Sequence, residues 1–72
     1  MKILLQDRQK IIEMPRELWI TLYDGENYGI LGNPYITPVL GLYKAETRAQ
    51  EVLQEIFESY QSGKSSYIMP EQ

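Results

Sequence analysis

From Ala45 to Tyr60 the apolar side chains Ala45, Ala49, Val52, Leu53, Ile56, Phe57 and Tyr60 recur at i, i+4, i+7, i+8, i+11, i+12 and i+15. An α-helix turns once in about 3.6 residues, so this spacing gathers all seven on one face spanning about 140°. Glu51, Gln54, Glu55 and Glu58 fall on the far side, toward solvent. Ordering such a segment costs more than burying its few large apolar side chains returns, so the helix must be held by something else. Everything before it reads as short strands, and the use of its apolar face is to cover their sheet.

Met1 to Gln6 reads as a strand with Ile3 and Leu5 on one face and Leu4 on the other. Asp7-Arg8-Gln9 is a turn, with the aspartate placed to bond its own backbone. Lys10 to Met14 returns antiparallel to the first strand and stops at Pro15, which has no N–H to donate. Leu18 to Tyr23 is the strongest strand: Leu18, Ile20 and Leu22 share one face, Trp19, Thr21 and Tyr23 the other. A turn at Asp24-Gly25-Glu26-Asn27 leads to a short strand from Tyr28 to Leu31, and Gly32-Asn33-Pro34 turns again. Tyr35 to Tyr43 is the last strand before the helix. Pro38 and Gly41 mark it as an edge or a bulge, with Ile36, Leu40 and Leu42 facing one way and Tyr35, Thr37, Val39 and Tyr43 the other.

The helix lacks the expected Ser, Thr, Asp or Asn cap and begins at Lys44-Ala45, with Glu46 meeting the positive end of the dipole. Gly63 can take the left-handed conformation that closes a helix. Tyr67-Ile68-Met69 adds a short strand ended by Pro70, and Glu71-Gln72 is expected to be mobile. The fold class that follows is α+β in a single domain over residues 1–72: a small, twisted, antiparallel sheet of four to six short strands with the C-terminal helix packed on one face.

Composition narrows the chemistry. The chain of 72 residues has neither cysteine nor histidine, which removes thiolate–zinc sites, disulfides and the commonest general base. No catalytic, cofactor-binding or metal-binding residues are assigned. Asp7, Asp24 and Glu26 could pair as carboxylates, but they are also what turns ordinarily contain. The Asp24–Asn27 stretch lacks the alternating ligands and distal glutamate of a calcium loop, and no phosphate-binding glycine loop occurs. With a net charge of −3 and Lys2, Arg8, Lys10 and Arg16 scattered over strands and turns, the balance disfavours nucleic acid. No apolar run is long enough to span a bilayer, and Ile3-Leu4-Leu5 is too short for a signal peptide; a cytoplasmic protein with no membrane partner is expected.

Two surface features remain. Trp19, Tyr23, Tyr28, Tyr35 and Tyr43 lie on strands, several on the face opposite the aliphatic one, and if the helix covers Leu18, Ile20 and Leu22, then Trp19 and Tyr23 face outward. Tyrosine and tryptophan exposed together suit protein interfaces, can stack on bases, or can form a second internal cluster. Self-association is an economical way for so small a chain to enlarge its core, so a homo-oligomer is expected. Glu51, Glu55 and Glu58 form a ridge on the exposed helix face, which serves either for solubility or for docking on a basic partner.

The chain also resembles short proteins of unknown function encoded by phages and prophages of Gram-positive bacteria. The residues that carry the resemblance are Leu5-Gln6-Asp7 at the end of the first strand, Tyr43 before the helix, the helical pattern A-x-x-V-L-x-E-I from Ala49 to Ile56, and Tyr67 followed by Met69-Pro70-Glu71. Arg8 stands where that group usually has Gly, and Ala45 where it has a Ser or Thr cap. The resemblance implies a small non-enzymatic protein that acts by binding a host or phage protein, for example a defence system. The alternative is a nucleic-acid or nucleotide binder that uses the aromatic sheet face.

Overall fold

A computed structural model describes residues 1–34 and 39–72. Its elements run β1 (Lys2–Leu4), β2 (Ile11–Glu13), β3 (Glu17–Leu22), β4 (Tyr28–Asn33), β5 (Gly41–Tyr43), α1 (Glu46–Gln61) and β6 (Ser66–Ile68). This is the α+β class read from the sequence, with the helix packed on the strands. The six strands divide into two three-stranded sheets, ordered β2-β1-β6 and β3-β4-β5. Six of the seven elements form where alternation, helical periodicity and turn chemistry place them, although β4 runs on through Gly32 and Asn33, which the sequence reads as a turn. Of the strand expected over Tyr35–Tyr43, only Gly41–Tyr43 is strand within the described part, and Tyr35 to Pro38 lie outside the described residues.

In the first sheet β1 pairs antiparallel with β2, Ile3 opposite Ile12, and parallel with β6, Ile3 opposite Tyr67. A parallel pair needs a long crossover, which here is the whole chain between the two ends. The second sheet is antiparallel throughout, with Trp19 opposite Leu31, Ile20 opposite Ile30 and Tyr28 opposite Tyr43. Leu40 is buried ahead of β5 and gives its N–H to Ile30 O (2.8 Å), so the expected alternation breaks there. Leu40 and Tyr43 go inward together, and Leu42 stays half-buried.

The helix is buried along Ala49, Val52, Ile56 and Ser59, against Ile3, Leu5, Ile12, Ile30, Leu40, Tyr43 and Met69. This corrects the expectation that Phe57 and Tyr60 lie in the core: they are 54% and 55% exposed. Small residues at Ala49 and Ser59 let the helix backbone approach the sheets closely. The bulky rings are left at the rim, beside the Met14-Pro15-Arg16 corner. That corner is itself tight. A Cβ on Gly32 would sit 2.6 Å from Pro15 Cγ, so only glycine lets β4 pass under the proline ring.

Both helix ends follow from sequence. Gly63 takes φ +78°, its N–H bonds Tyr60 O (3.1 Å) and the Lys64 N–H bonds Ser59 O (3.0 Å), the paired closure of a Schellman motif. At the other end Ala45 is extended (φ −107°, ψ 138°) with no side-chain cap bond. Ala45→Ser is therefore expected to stabilise the protein by about 1 kcal/mol and raise Tm by about 4–8 °C in a thermal melt. An unchanged Tm would mean that the first turn needs no cap.

The tail corrects a second expectation, because residues 69–72 are held down. Gln6 Nε2 donates to Leu42 O (2.9 Å), Pro70 O (3.2 Å) and Glu71 O (3.2 Å), while Gln6 Oε1 accepts the Leu42 N–H (2.8 Å). Arg8 donates to Met69 O (2.7 Å), the Tyr43 hydroxyl to Pro70 O (2.8 Å) and Arg48 Nε to Gln72 O (3.0 Å). The Gln6 amide thus reproduces a strand pairing between the end of β1 and β5 and ties both sheets to the tail. Arg8 holds φ +63° to make its turn, a conformation glycine takes without strain. The resemblance residues Gln6, Tyr43, Pro70 and Glu71 meet in this one cluster.

Candidate functional site

Strand β3 carries the exposed aromatics. Its inner face follows Leu18, Ile20 and Leu22, whose β4 partners Gly32, Ile30 and Tyr28 point the same way. The opposite face carries Glu17, Trp19, Thr21 and Tyr23, with Leu31 opposite Trp19 and Gly29 opposite Thr21. Trp19 is 41% exposed and Tyr23 47%. A Cβ on Gly29 would lie 3.0 Å from Val39 Cγ2 and 3.2 Å from Tyr23 Cβ, so the missing side chain lets Tyr23 and Val39 close over the strand. The helix occupies the other face, through its contacts with β3, β4 and β5. On the outer face Trp19, Thr21 and Tyr23 of β3 are thus exposed, while Gly29 of β4 is covered by Val39 and Tyr23.

The other residues picked out from sequence lie elsewhere. Tyr28 is on the inner face, half-buried and packed against the core beside Tyr43. Tyr35 lies outside the described residues. Glu51, Glu55 and Glu58 do line the exposed helix face, but all three already have partners. Arg48 Nη1 is 3.2 Å from Glu51 Oε1 and 3.9 Å from Glu55 Oε2, and Glu55 Oε1 accepts the Tyr67 hydroxyl (2.7 Å). Glu58 accepts a bond from Gln54 (3.2 Å). The aromatic face and the acidic ridge thus occupy opposite sides of the molecule and do not form one site.

Titration behaviour follows from these contacts. Burial pushes the Tyr43 hydroxyl up to about 12. It also pushes the Tyr67 hydroxyl up, helped by the Glu55 carboxylate that accepts its hydrogen bond. The Asp24 carboxyl is held below its ordinary value by bonds from the Asn27 side chain and from the Glu26 and Asn27 N–H groups, so it serves the turn. Asp7 likewise accepts the Gln9 N–H (2.9 Å). Among the described residues no group of three or more Asp and Glu side chains is placed to hold a metal ion. No helix there is long and apolar enough to cross a membrane.

Two apolar surfaces were not singled out by sequence reasoning. Ile11, Leu4 and Ile68 form a row across the outer face of the first sheet, in register 4↔11 and 4↔68, with both isoleucines exposed. The alternation of Ile3 against Leu4 and of Ile12 against Ile11 was the available signal. The second is a groove of about 410 Å³ lined by Met14, Pro15, Leu18, Leu53 and Phe57, between α1 and the free side of β3. It exists because Phe57 stays at the rim, which a simple helical projection does not reveal. No known protein family, curated protein or solved structure matches the chain.

Proposed function

We propose that the chain is a small non-enzymatic protein-interaction module of the phage or prophage type, working in the cytoplasm. It docks a host or phage protein on the outer face of the β3-β4-β5 sheet. The observation that carries this reading is the exposure of Trp19 and Tyr23 on the same face of one strand, either side of Thr21, on a sheet whose opposite face the helix already fills. Large rings with polar tips supply contact area and hydrogen bonds at little cost in side-chain freedom, and such residues dominate binding energy at interfaces. Self-association belongs to the same reading: the chain is small, and Ile11, Leu22 and Ile68 are exposed besides the aromatics.

The experiment compares affinity capture from lysate of a Gram-positive host by the wild-type chain and by Trp19→Ser/Tyr23→Ser. A protein retained by the wild type and lost by the variant, at an unchanged melting temperature, is the expected result. Retention by both would overturn the assignment of this face. Quenching of Trp19 fluorescence by single-stranded oligonucleotides at low salt would instead favour a base-stacking surface.

A further inference from the structure

Strand β3 has an edge as well as a face. The Tyr23 N–H bonds Asn27 O (2.8 Å) and the Leu40 N–H bonds Ile30 O (2.8 Å), so the odd-numbered residues of β4 turn toward β3 and the even-numbered ones toward β5. With Trp19 opposite Leu31 and Thr21 opposite Gly29, the odd residues of β3 are the ones bonded inward. Alternation then directs the N–H and C=O groups of Leu18, Ile20 and Leu22 away from β4. Among the described residues no backbone group pairs with them. A six-residue strand with such an edge is a template for another strand.

The sequence of the strand selects its partner. Pairing two copies antiparallel requires even residues to face even residues, which leaves few registers. With Ile20 opposite Ile20, Leu18 meets Leu22 and Trp19 meets Thr21, so every residue from Leu18 to Leu22 has a strand residue opposite it. Arg16 and Asp24 flank the pairing outside β3; the Arg16 N–H turns inward to Asn33 O (2.9 Å) and the Asp24 carboxylate closes the hairpin turn, so neither continues the alternation. Shifting the centre to Trp19 would leave Leu22 opposite a position before β3, and shifting it to Thr21 would leave Leu18 opposite a position after it, a mismatch the centred register avoids. The centred register also accounts for two exposed apolar features. Leu22, 54% exposed on the inner face, comes to lie beside the second copy's Leu18. There it covers the groove formed by Met14, Pro15, Leu18, Leu53 and Phe57.

We propose that two copies of this chain associate through their β3 edges, centred on Ile20, to form one continuous six-stranded sheet. This rests on the self-association in the proposed function and assigns its surface. It leaves the Trp19–Tyr23 face open on both copies.

The test is sedimentation equilibrium of the full chain up to high micromolar concentration, alongside Leu22→Lys. The substitution falls on an exposed side chain, and retained folding is checked by circular dichroism. Wild type is expected to form dimers, and the variant to raise the dissociation constant about tenfold or more, since the change occurs twice at the interface. As a second measurement, Thr21→Cys carrying a spin label is expected to show strong dipolar broadening. In this register the two Thr21 Cα atoms lie about 8 Å apart, two residues along the strand and one strand across. A wild-type monomer at high micromolar concentration would overturn self-association and the edge together, while leaving capture through Trp19 to its own test. A dimer insensitive to the substitution and without short-range coupling at position 21 would overturn the edge assignment alone.

Discussion

Gln6→Glu is expected to destabilise the protein by about 3 kcal/mol or more at pH 7, against about 2–3 kcal/mol for Gln6→Ala. Glutamine and glutamate side chains have the same shape, so the difference lies in chemistry. In the native protein Gln6 Nε2 faces three carbonyl oxygens, those of Leu42, Pro70 and Glu71. A carboxylate there would present lone pairs to lone pairs in a half-buried site and would still leave those carbonyls without a donor. The total stability of a 72-residue domain is about 4–11 kcal/mol, so the change removes a large part of it. The sign of the pH dependence follows. Surrounding carbonyls disfavour the charged form, so the folded-state value of the introduced carboxyl group is raised above its ordinary one. The variant is therefore most stable below the ordinary carboxylate range and loses stability as pH rises through the raised value. Urea unfolding of the wild type, Gln6→Ala and Gln6→Glu at pH 4 and pH 7 checks this. A variant as stable as wild type at pH 7 would mean that the amide does not join the two sheets to the tail.

Neighbouring residues on α1 should behave very differently from one another. Ile56 is fully buried at the meeting of helix and sheets, and Ile56→Ala is expected to cost about 2–5 kcal/mol through lost burial and the cavity left behind. Phe57, one position on, is 54% exposed at the wall of the groove, and Phe57→Ala is expected to cost less than about 1 kcal/mol despite removing a larger group. Chemical denaturation of the two variants reads this contrast directly. Equal losses at the two positions would mean that the helix packs in the rotation its sequence periodicity suggests, with both side chains in the core.

That contrast marks where sequence reading stops. The helix from Glu46 to Gln61, the turns at Asp7 and Asp24 and the two faces of β3 were legible, because each is fixed by local chemistry: periodicity, an aspartate bonding nearby N–H groups, alternation along a strand. Division of the strands into two sheets was not. It depends on β1 finding β6 across almost the whole chain, and nothing local announces a parallel pair between the termini. The rotation of the helix was hidden because Ala49 and Ser59 are chosen for close approach, which hydrophobicity does not rank. Gln6 was read only as the end of the first strand and as part of the Leu5-Gln6-Asp7 motif, although its amide closes the contact between β1, β5 and the tail.

The candidate surface was legible in the same uneven way. Trp19 and Tyr23 were placed correctly by alternation within one strand. Tyr28 was not, because its face depends on pairing with Leu22 and Tyr43 on two other strands. For the glutamates, the spacing along α1 was plain, but their engagement was not. Arg48 and Tyr67 reach Glu51 and Glu55 from one turn away and from a separate strand, and they turn part of an apparent docking ridge to structural use.

In the proposed account β3 offers a face for another protein and an edge for a second copy. Amide hydrogen exchange, followed residue by residue by NMR at low and at high protein concentration, tests that account most directly. At low concentration the N–H groups of Trp19, Thr21 and Tyr23 are expected to be protected and those of Leu18, Ile20 and Leu22 to exchange freely. At high concentration the second set becomes protected as well. Exchange of Leu18, Ile20 and Leu22 that does not change with concentration, whether fast or slow throughout, would contradict it.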